Sequence, residues 1–308
     1  MLKYIPDAPL SEITWYKIGG RAKYLFYPRN AGEIQKCLKF IKGQEIPFFV
    51  IGGGSNVLIG DHDYKGAVIC TREISHMELV DEFTIKVGSG TPASNVAEFA
   101  LENELEGCEF LYNLPGSIGG AAVMNAQAFG SRMSDIVLIV RTVDYDGNLK
   151  VFTNKDIEYD YKKSIFQHSE SIIYEIEIVL EKGDVNVIKS KMDYNRNVRV
   201  NNKHFEFPSC GCVFKNIPDK NIHAGKIIDE LGLKGSALGG AKVFENHANF
   251  IVNYGDAKAN DVIDLIKSVK DKVYEERDIE LEMELELLGN FEHYEEKLSA
   301  KYPEKKKK

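Results

Sequence analysis

The chain has 308 residues, 44% hydrophobic and 28% charged, with a formal net charge of −8. At roughly 150 residues per domain that length sets about two or three domains, and the acidic balance excludes a general nucleic-acid binder, which carries a basic face. No apolar run approaches the roughly 18 residues of a membrane helix, the N-terminus MLKYIPDAPLSE lacks an apolar signal core, and five cysteines without metal-ligand spacing read as reduced cytosolic thiols.

In chain order, Asn30 caps a helix with the apolar stripe Ile34, Leu38 and Ile41, and Cys37 on that stripe belongs to the core. Pro47–Ile51 reads as a buried strand running into Gly52-Gly53-Gly54-Ser55-Asn56. Phe83, Ile85 and Val87 alternate with polar residues, so a second strand ends at Gly88-Ser89-Gly90. Thr91 is placed as the cap of the next helix, with Pro92 in its first position and Val96, Ala97 and Ala100 buried. A second glycine-rich loop follows, Leu114-Pro115-Gly116-Ser117-Ile118-Gly119-Gly120-Ala121. Strands around Ile136–Val143 and Leu149–Phe152 are joined at Asp146-Gly147, a hairpin signal. Ile172–Leu180 is a further strand, and Asp184 caps a helix ending near Asn195.

The texture then changes. Arg196–His204 is polar, basic and Asn-rich, and reads as a linker. Beyond it come a Cys-Gly-Cys strand, a short helix Ala224–Leu231 stopped by Gly232, and the strand Asn249–Asn253. A long helix carries Val262, Leu265, Ile266, Val269 and Val273 at helical spacing. Glu280–Leu288 reads as a strand with Glu280, Glu282, Glu284 and Glu286 on one face, three of them solvated. A carboxyl on that face could stay protonated as an acid if it bordered a cleft. The lysine-rich tail, 291–308, is expected to be disordered.

Three stretches carry chemistry. In Gly52–Asn56, glycines bring backbone amides close to a pyrophosphate and Ser55 and Asn56 add donors, although one such loop is equally an ordinary tight turn. It is neither a Walker loop, since no Gly-Lys-Ser/Thr follows, nor a Rossmann fingerprint, since Gly88-Ser89-Gly90 lacks the third glycine. A second loop of the same character at Pro115–Ala121 favours a dinucleotide held by amides on two sides. Pro208-Ser209-Cys210-Gly211-Cys212-Val213-Phe214-Lys215-Asn216 gathers a thiol that can give a proton, a cation that can hold an anion and an amide that can read a polar edge. Tyr161-Lys162-Lys163-Ser164-Ile165-Phe166 sets a phenol and two cations before an apolar pair, a pattern that alone suits a solvated lysine pair. His247 has no second spaced ligand, so a structural hydrogen bond is expected there and no metal site anywhere.

From about Thr14 to Gly289 the chain resembles the UDP-N-acetylenolpyruvoylglucosamine reductase family, in its shorter second type. The resemblance rests on TWYKIGGRA, FVIGGGSNVLI, LPGSIGGAAVMNA, YKKSIFQ, PSCGCVFKN, AGKIIDELGLKG, GGAKVFENHANFIVN and LEMELELLG, in the family's order. It implies an α+β fold: a two-part FAD-binding region of the vanillyl-alcohol-oxidase/p-cresol-methylhydroxylase-like kind (1–68 and 69–196) and a smaller α+β substrate domain (197–290). It implies FAD contacts from Gly52, Gly53, Gly54, Ser55, Asn56 and Val57 and from Pro115, Gly116, Ser117, Gly119, Gly120, Ala121 and Asn125. It implies cytoplasmic reduction of an enolpyruvyl UDP-sugar to UDP-N-acetylmuramate, a peptidoglycan precursor, with electrons from NADPH passing through FAD. No nucleic acid, membrane or obligate protein partner is implied.

Position by position, the family's proton donor falls on Cys212, where serine is usual. An ordinary thiol, pKa ~8.5, is mostly protonated at neutral pH and is a stronger acid than a hydroxyl. A cation such as Lys215 could draw off its proton, and oxidation, including a strained link to Cys210, would inactivate it. The carboxyl acid falls on Glu284. The enolate-stabilising arginine falls on Lys162, which keeps the charge and loses the planar fork, so either Lys162 reaches the carboxylate as a point charge or a nearby arginine such as Arg199 helps at the substrate. Tyr161, Lys215 and Asn216 are expected at the substrate. Gln127 stands where the family commonly has glycine, and Glu286 where some members have arginine. Two other readings fit the same residues: an FAD-dependent oxidase of the same superfamily, and a UDP-sugar-binding relative without catalysis.

Overall fold

In a computed structural model, residues 2–289 and 291 are described, and they form two compact units. The first gathers residues up to Ala8, Ala22–Gly54 and Lys65–Asn201; the second gathers Pro9–Arg21, Ser55–Tyr64 and the chain from Asn202. Of the 291–308 tail, only Phe291 lies within the described residues, and it is buried in the core of the second unit, where a disordered end had been expected.

The first unit holds two sheets. One has the strand order Ile5–Pro9, Arg21–Phe26, Tyr64–Cys70, Phe48–Ile51, with the last pair parallel. Helix α1 (Ala31–Gly43) begins at Asn30, whose side chain accepts from the Glu33 amide at 3.0 Å, and it buries Ile34, Cys37, Leu38 and Ile41. The strand after it is less enclosed than its apolar run suggested: Phe48, Phe49 and Val50 are half-buried and only Ile51 is fully buried. Phe48 packs edge-on against Tyr145 with ring centroids 4.8 Å apart, so aromatic contact takes the place of full burial.

The other sheet is antiparallel, in the order Leu149–Thr153, Val137–Asp144, Ser171–Val179, Thr84–Gly88, Met77–Leu79. Its core takes in α2 (Ala93–Glu102), α3 (Ile118–Val123) and α4 (Met133–Ile136). Pro92, not Thr91, is the cap residue of α2. The Thr91 hydroxyl is turned to the His76 carbonyl at 3.4 Å, and the first helical amide, Ala93, donates instead to Gly116 O at 3.0 Å. The loop that opens α3 therefore also closes the start of α2.

Helix α5 (Val185–Asn201) starts as expected, with Asp184 Oδ1 accepting from the Asn186 and Val187 amides at 2.8 and 3.1 Å. It runs past Asn195 to Asn201, so most of the expected linker is helix. Its buried face is Ile188, Met192, Asn195 and Arg199, and the two polar members satisfy main-chain carbonyls.

The second unit is built on an antiparallel sheet ordered Ser209–Cys212, Phe250–Asn253, Ala241–Val243, Ala237–Leu238. Helices α6 (Ala224–Glu230) and α7 (Ala259–Arg277) pack into its core together with Tyr16, Ile18 and Leu58. The Tyr16 hydroxyl donates to Ile251 O at 2.7 Å, which satisfies a fully buried phenol. Only Glu286–Leu288 of the expected 280–288 strand is laddered, in parallel with Val57–Ile59. Before it, Met283 forms an isolated bridge with Phe214, so the alternating stretch runs beside the thiol segment without a continuous ladder. No helix among the described residues is long and apolar enough to cross a membrane.

Candidate active site

In the first unit the two glycine loops meet backbone to backbone. Gly53 N donates to Ser117 Oγ at 3.1 Å across 64 residues of sequence. A Cβ on Gly53 would lie 2.4 Å from Gly116 Cα, and one on Gly52 would lie 2.6 Å from Ser117 Oγ. Gly119 N donates to Ser89 O at 2.8 Å, and its Cβ would strike Ser89. Arg72, not anticipated from sequence, donates to Gly53 O at 2.8 Å and fixes the first loop from a third segment. Gly54 and Gly116 adopt positive φ of +70° and +106°, which glycine does without strain. Ser117 Oγ also accepts from Gly120 N at 3.4 Å, capping α3. The amides of Gly54, Gly116 and Ser117 donate to no acceptor among the described residues. Side-chain-free backbone with amides to spare suits the pyrophosphate of a dinucleotide.

Asn125, expected at the cofactor, is 2% exposed and its carboxamide is spent on the protein. Nδ2 donates to Asp160 O at 2.9 Å and Oδ1 accepts from Ser134 N at 2.9 Å. Its N–H donates to Ala122 O at 3.3 Å, so only its main-chain carbonyl is left for the cofactor. Tyr161 and Lys162 are half-buried at the tip of a tight turn closed by Asp160 and Lys163, whose amides and carbonyls bond each other at 3.0 and 3.1 Å. Arg199 does not assist Lys162. It is 5% exposed, donates to Tyr112 O at 2.7 Å and Phe110 O at 3.1 Å, and lies over the Phe129 ring. Burial pulls its guanidinium down to about 10. Its role is to satisfy buried carbonyls, which corrects the substrate role expected of it.

The second unit contains Ser55, Asn56 and Val57 together with the thiol segment and the glutamate stretch. Asn56 Nδ2 donates to Glu284 O at 3.0 Å, and its own carbonyl accepts from Glu286 N at 3.0 Å. Glu284 N donates to Val213 O at 2.7 Å, and Lys215 N to Glu282 O at 2.9 Å. These bonds set the segment following Cys212 directly beside Glu284. Glu284 is half-buried while Glu280, Glu282 and Glu286 are exposed, so one carboxyl of the four is distinct. Asn249, another residue that sequence reasoning did not single out, is 3% exposed and clamps the same strand. Its Oδ1 accepts from Phe214 N at 3.0 Å, its Nδ2 donates to Phe214 O at 2.8 Å and its carbonyl accepts from Val213 N at 2.8 Å. A buried Asn before an apolar strand was the available signal.

Gly211, at φ +75°, breaks the register between Ser209 and Cys212. The two thiols consequently enter different clusters. Cys210 is buried with Tyr16 and Leu58, and its Sγ donates to Val57 O at 2.9 Å. Cys212 is half-buried against Phe244, Phe250 and Val252. All five cysteines are free. Burial pushes the thiols of Cys70, Cys108 and Cys210 up, and that of Cys37 up to about 12. Lys215 Nζ is paired with Glu282 Oε1 at 2.7 Å, and Asn216 Oδ1 accepts from Ala224 N at 3.0 Å, leaving its NH2 group as a donor. His247 makes no side-chain hydrogen bond at its buried Nδ1; its ring packs on Phe250 at 4.3 Å instead. Among the described residues no group of three or more His, Cys, Asp or Glu side chains could hold a metal ion.

A family described as an FAD binding domain matches residues 22–153, the region of both glycine loops in the first unit. The fold and the loops thus define an FAD-binding α+β protein. Residues 203–288 match the family described as UDP-N-acetylenolpyruvoylglucosamine reductase, C-terminal domain. The chain is 37% identical over 281 residues to UDP-N-acetylenolpyruvoylglucosamine reductases of Streptococcus pneumoniae: the alignment covers 91% of this chain and 92% of the protein of strain Hungary19A-6, and 91% and 88% with strain R6. It is also similar to the crystal structure of UDP-N-acetylenolpyruvylglucosamine reductase from Thermus caldophilus, with TM-score 0.78, 30% identity, and 93% of this chain and 98% of that one covered. The chain belongs to the UDP-N-acetylenolpyruvoylglucosamine reductase family, and is an enzyme of the oxidoreductase class.

Proposed function

We propose that this enzyme uses NADPH to reduce the enolpyruvyl ether of UDP-N-acetylglucosamine to UDP-N-acetylmuramate, a peptidoglycan precursor, in the cytoplasm and without an obligate protein partner. The observation that carries this reading is the similarity over 91% of the chain to reductases of that name. We assign 1–68 and 69–196 to FAD binding and 197–290 to the UDP-sugar. FAD, when bound, supplies the redox chemistry, taking two electrons from NADPH and passing them to the enolpyruvyl group.

The chain's own residues do the rest. The spare amides of Gly54, Gly116 and Ser117 and the main chain at Gly52, Gly53, Pro115, Gly119, Gly120, Ala121 and Asn125 hold the cofactor, and Ser55, Asn56 and Val57 are assigned to it as well. Reduction at the methylene carbon leaves negative charge on the substrate carboxylate. Lys162 offers a cation to that charge, and Glu284 offers its carboxyl group. Cys212 delivers the proton to the alpha carbon and is left as thiolate, to be reprotonated from solvent before the next turnover. Tyr161, Asn216 and Lys215 bind the sugar nucleotide, Lys215 by leaving its pairing with Glu282. The hydrogen bond from Glu284 N to Val213 O supports the assignment of donor and acid, because it fixes their two segments side by side.

The Cys212→Ala variant tests the donor. It should keep NADPH-driven bleaching of the flavin and lose reoxidation by the enolpyruvyl sugar. Survival of both half-reactions would overturn the assignment. Lysine at position 162, where the family has arginine, favours one other reading, a UDP-sugar binder without turnover; NADPH consumption dependent on the enolpyruvyl sugar excludes it.

A further inference from the structure

We propose that Asn125 is a positioning residue for Lys162, fastening the turn that carries it to the end of the helix that opens on the second glycine loop. The inference rests on the reading of Lys162 as the cation that meets the substrate carboxylate.

Lys162 is the second tip residue of the turn Asp160-Tyr161-Lys162-Lys163, and its φ is +55°. That position favours glycine or asparagine, and a lysine there sits against its backbone preference. A chain left to itself would relax, so the surroundings must hold it. Three bonds do so. Asn125 Nδ2 donates to Asp160 O at 2.9 Å, at the base of the turn. Ser164 Oγ donates to Val123 O at 2.6 Å, just beyond the turn. Gln167 Nε2 donates to Lys162 O itself at 3.3 Å. The Tyr161 amide is occupied by Asp160 Oδ1 at 2.7 Å, which keeps the turn tight. Two of the three tethers end on Val123–Asn125, the C-terminal end of α3, and the other end of α3 is Ser117 in the glycine loop. Asn125 is itself at φ +42° and buried, and Ser134 N holds its Oδ1 at 2.9 Å, so its Nδ2 is aimed at the turn with little freedom. The device places the charge at a set distance from the cofactor loop through one short helix.

The Asn125→Asp variant isolates the tether. It keeps the size, tolerates positive φ, and keeps the acceptor for Ser134 N. It replaces the donor facing Asp160 O by an oxygen. Because the main chain at Asn125 is itself assigned to the cofactor, both half-reactions are scored per bound flavin, and the readout is the rate of reoxidation relative to the rate of NADPH-driven reduction. On that ratio, reoxidation by the enolpyruvyl UDP-sugar should slow by about tenfold or more, as displaced catalytic groups do. The defect relative to parent should shrink as pH falls, because the introduced carboxyl, once protonated, can donate to Asp160 O again. Amide hydrogen exchange supplies a readout that needs no substrate: protection at Lys163 should fall while protection across Val137–Asp144 is kept. A ratio within about twofold of parent, unchanged exchange at Lys163, or a loss of protection across the whole first unit would each overturn the proposal. If the parent protein itself is not reoxidised by the sugar, the functional reading fails instead, and the exchange result still decides the tether.

Discussion

Arg199 spends a full charge on two carbonyls. Its guanidinium reaches Phe110 O and Tyr112 O from the buried face of α5, and no carboxylate contacts it among the hydrogen bonds and ion pairs of the described residues. Replacing it strands both acceptors in a dry interior, so Arg199→Met should lower unfolding free energy by about 2–5 kcal/mol in denaturant titration. The folded variant should keep the parent's KM for the UDP-sugar, and a raised KM would restore the substrate role. His247 makes a second residue-scale prediction. Burial lowers its pKa below the ordinary 6.5, helped by Lys234 and opposed by its own backbone. The unfolded chain then binds the extra proton first, so stability is present above pH about 6.5 and declines as pH falls toward the lowered folded value. Thermal unfolding between pH 7 and 5 should show this decline, and His247→Gln should flatten it; an equal slope in the variant would exclude His247 as its source.

At the scale of elements, glycines of the two units differ in what they protect. A Cβ at Gly53 lands on Gly116 Cα, so Gly53→Ala must part the two loops. That variant should purify with flavin content well below the parent, measured by visible absorbance, and full flavin occupancy would contradict the cradle. A Cβ at Gly211 meets nothing within 4 Å, so only its φ of +75° resists substitution. Gly211→Ala should therefore cost about 1–2 kcal/mol in stability. The same scale shows what could be read in advance. Helices α1 and α7 were legible because their buried stripes are aliphatic. The end of α5 was not, because Asn195 and Arg199 occupy its buried face and read as solvent-facing texture. The alternation of 280–288 suited a strand, yet only Glu286–Leu288 is paired in a ladder. Period-two patterning reports which side faces the core, and it does not report which backbone groups find partners.

For the whole molecule, order along the chain carried more than any single motif. One glycine loop was ambiguous, and it took a second loop, the thiol segment and the glutamate stretch in series to point to one family. What sequence could not reveal was the support: Arg72 on Gly53 O, Asn249 on both sides of Phe214, and Asn125 between two segments of the first unit. Each acts through hydrogen bonds to main chain remote in sequence, which no local pattern encodes. The central claim is that this chain carries electrons from NADPH through FAD to an enolpyruvyl UDP-sugar. The most direct measurement is NADPH consumption by the purified, FAD-loaded protein with and without that sugar under anaerobic conditions. A single flavin-equivalent of NADPH should be used without the sugar and continuous consumption should follow its addition. Consumption that stops after one equivalent whether or not the sugar is present would contradict the account.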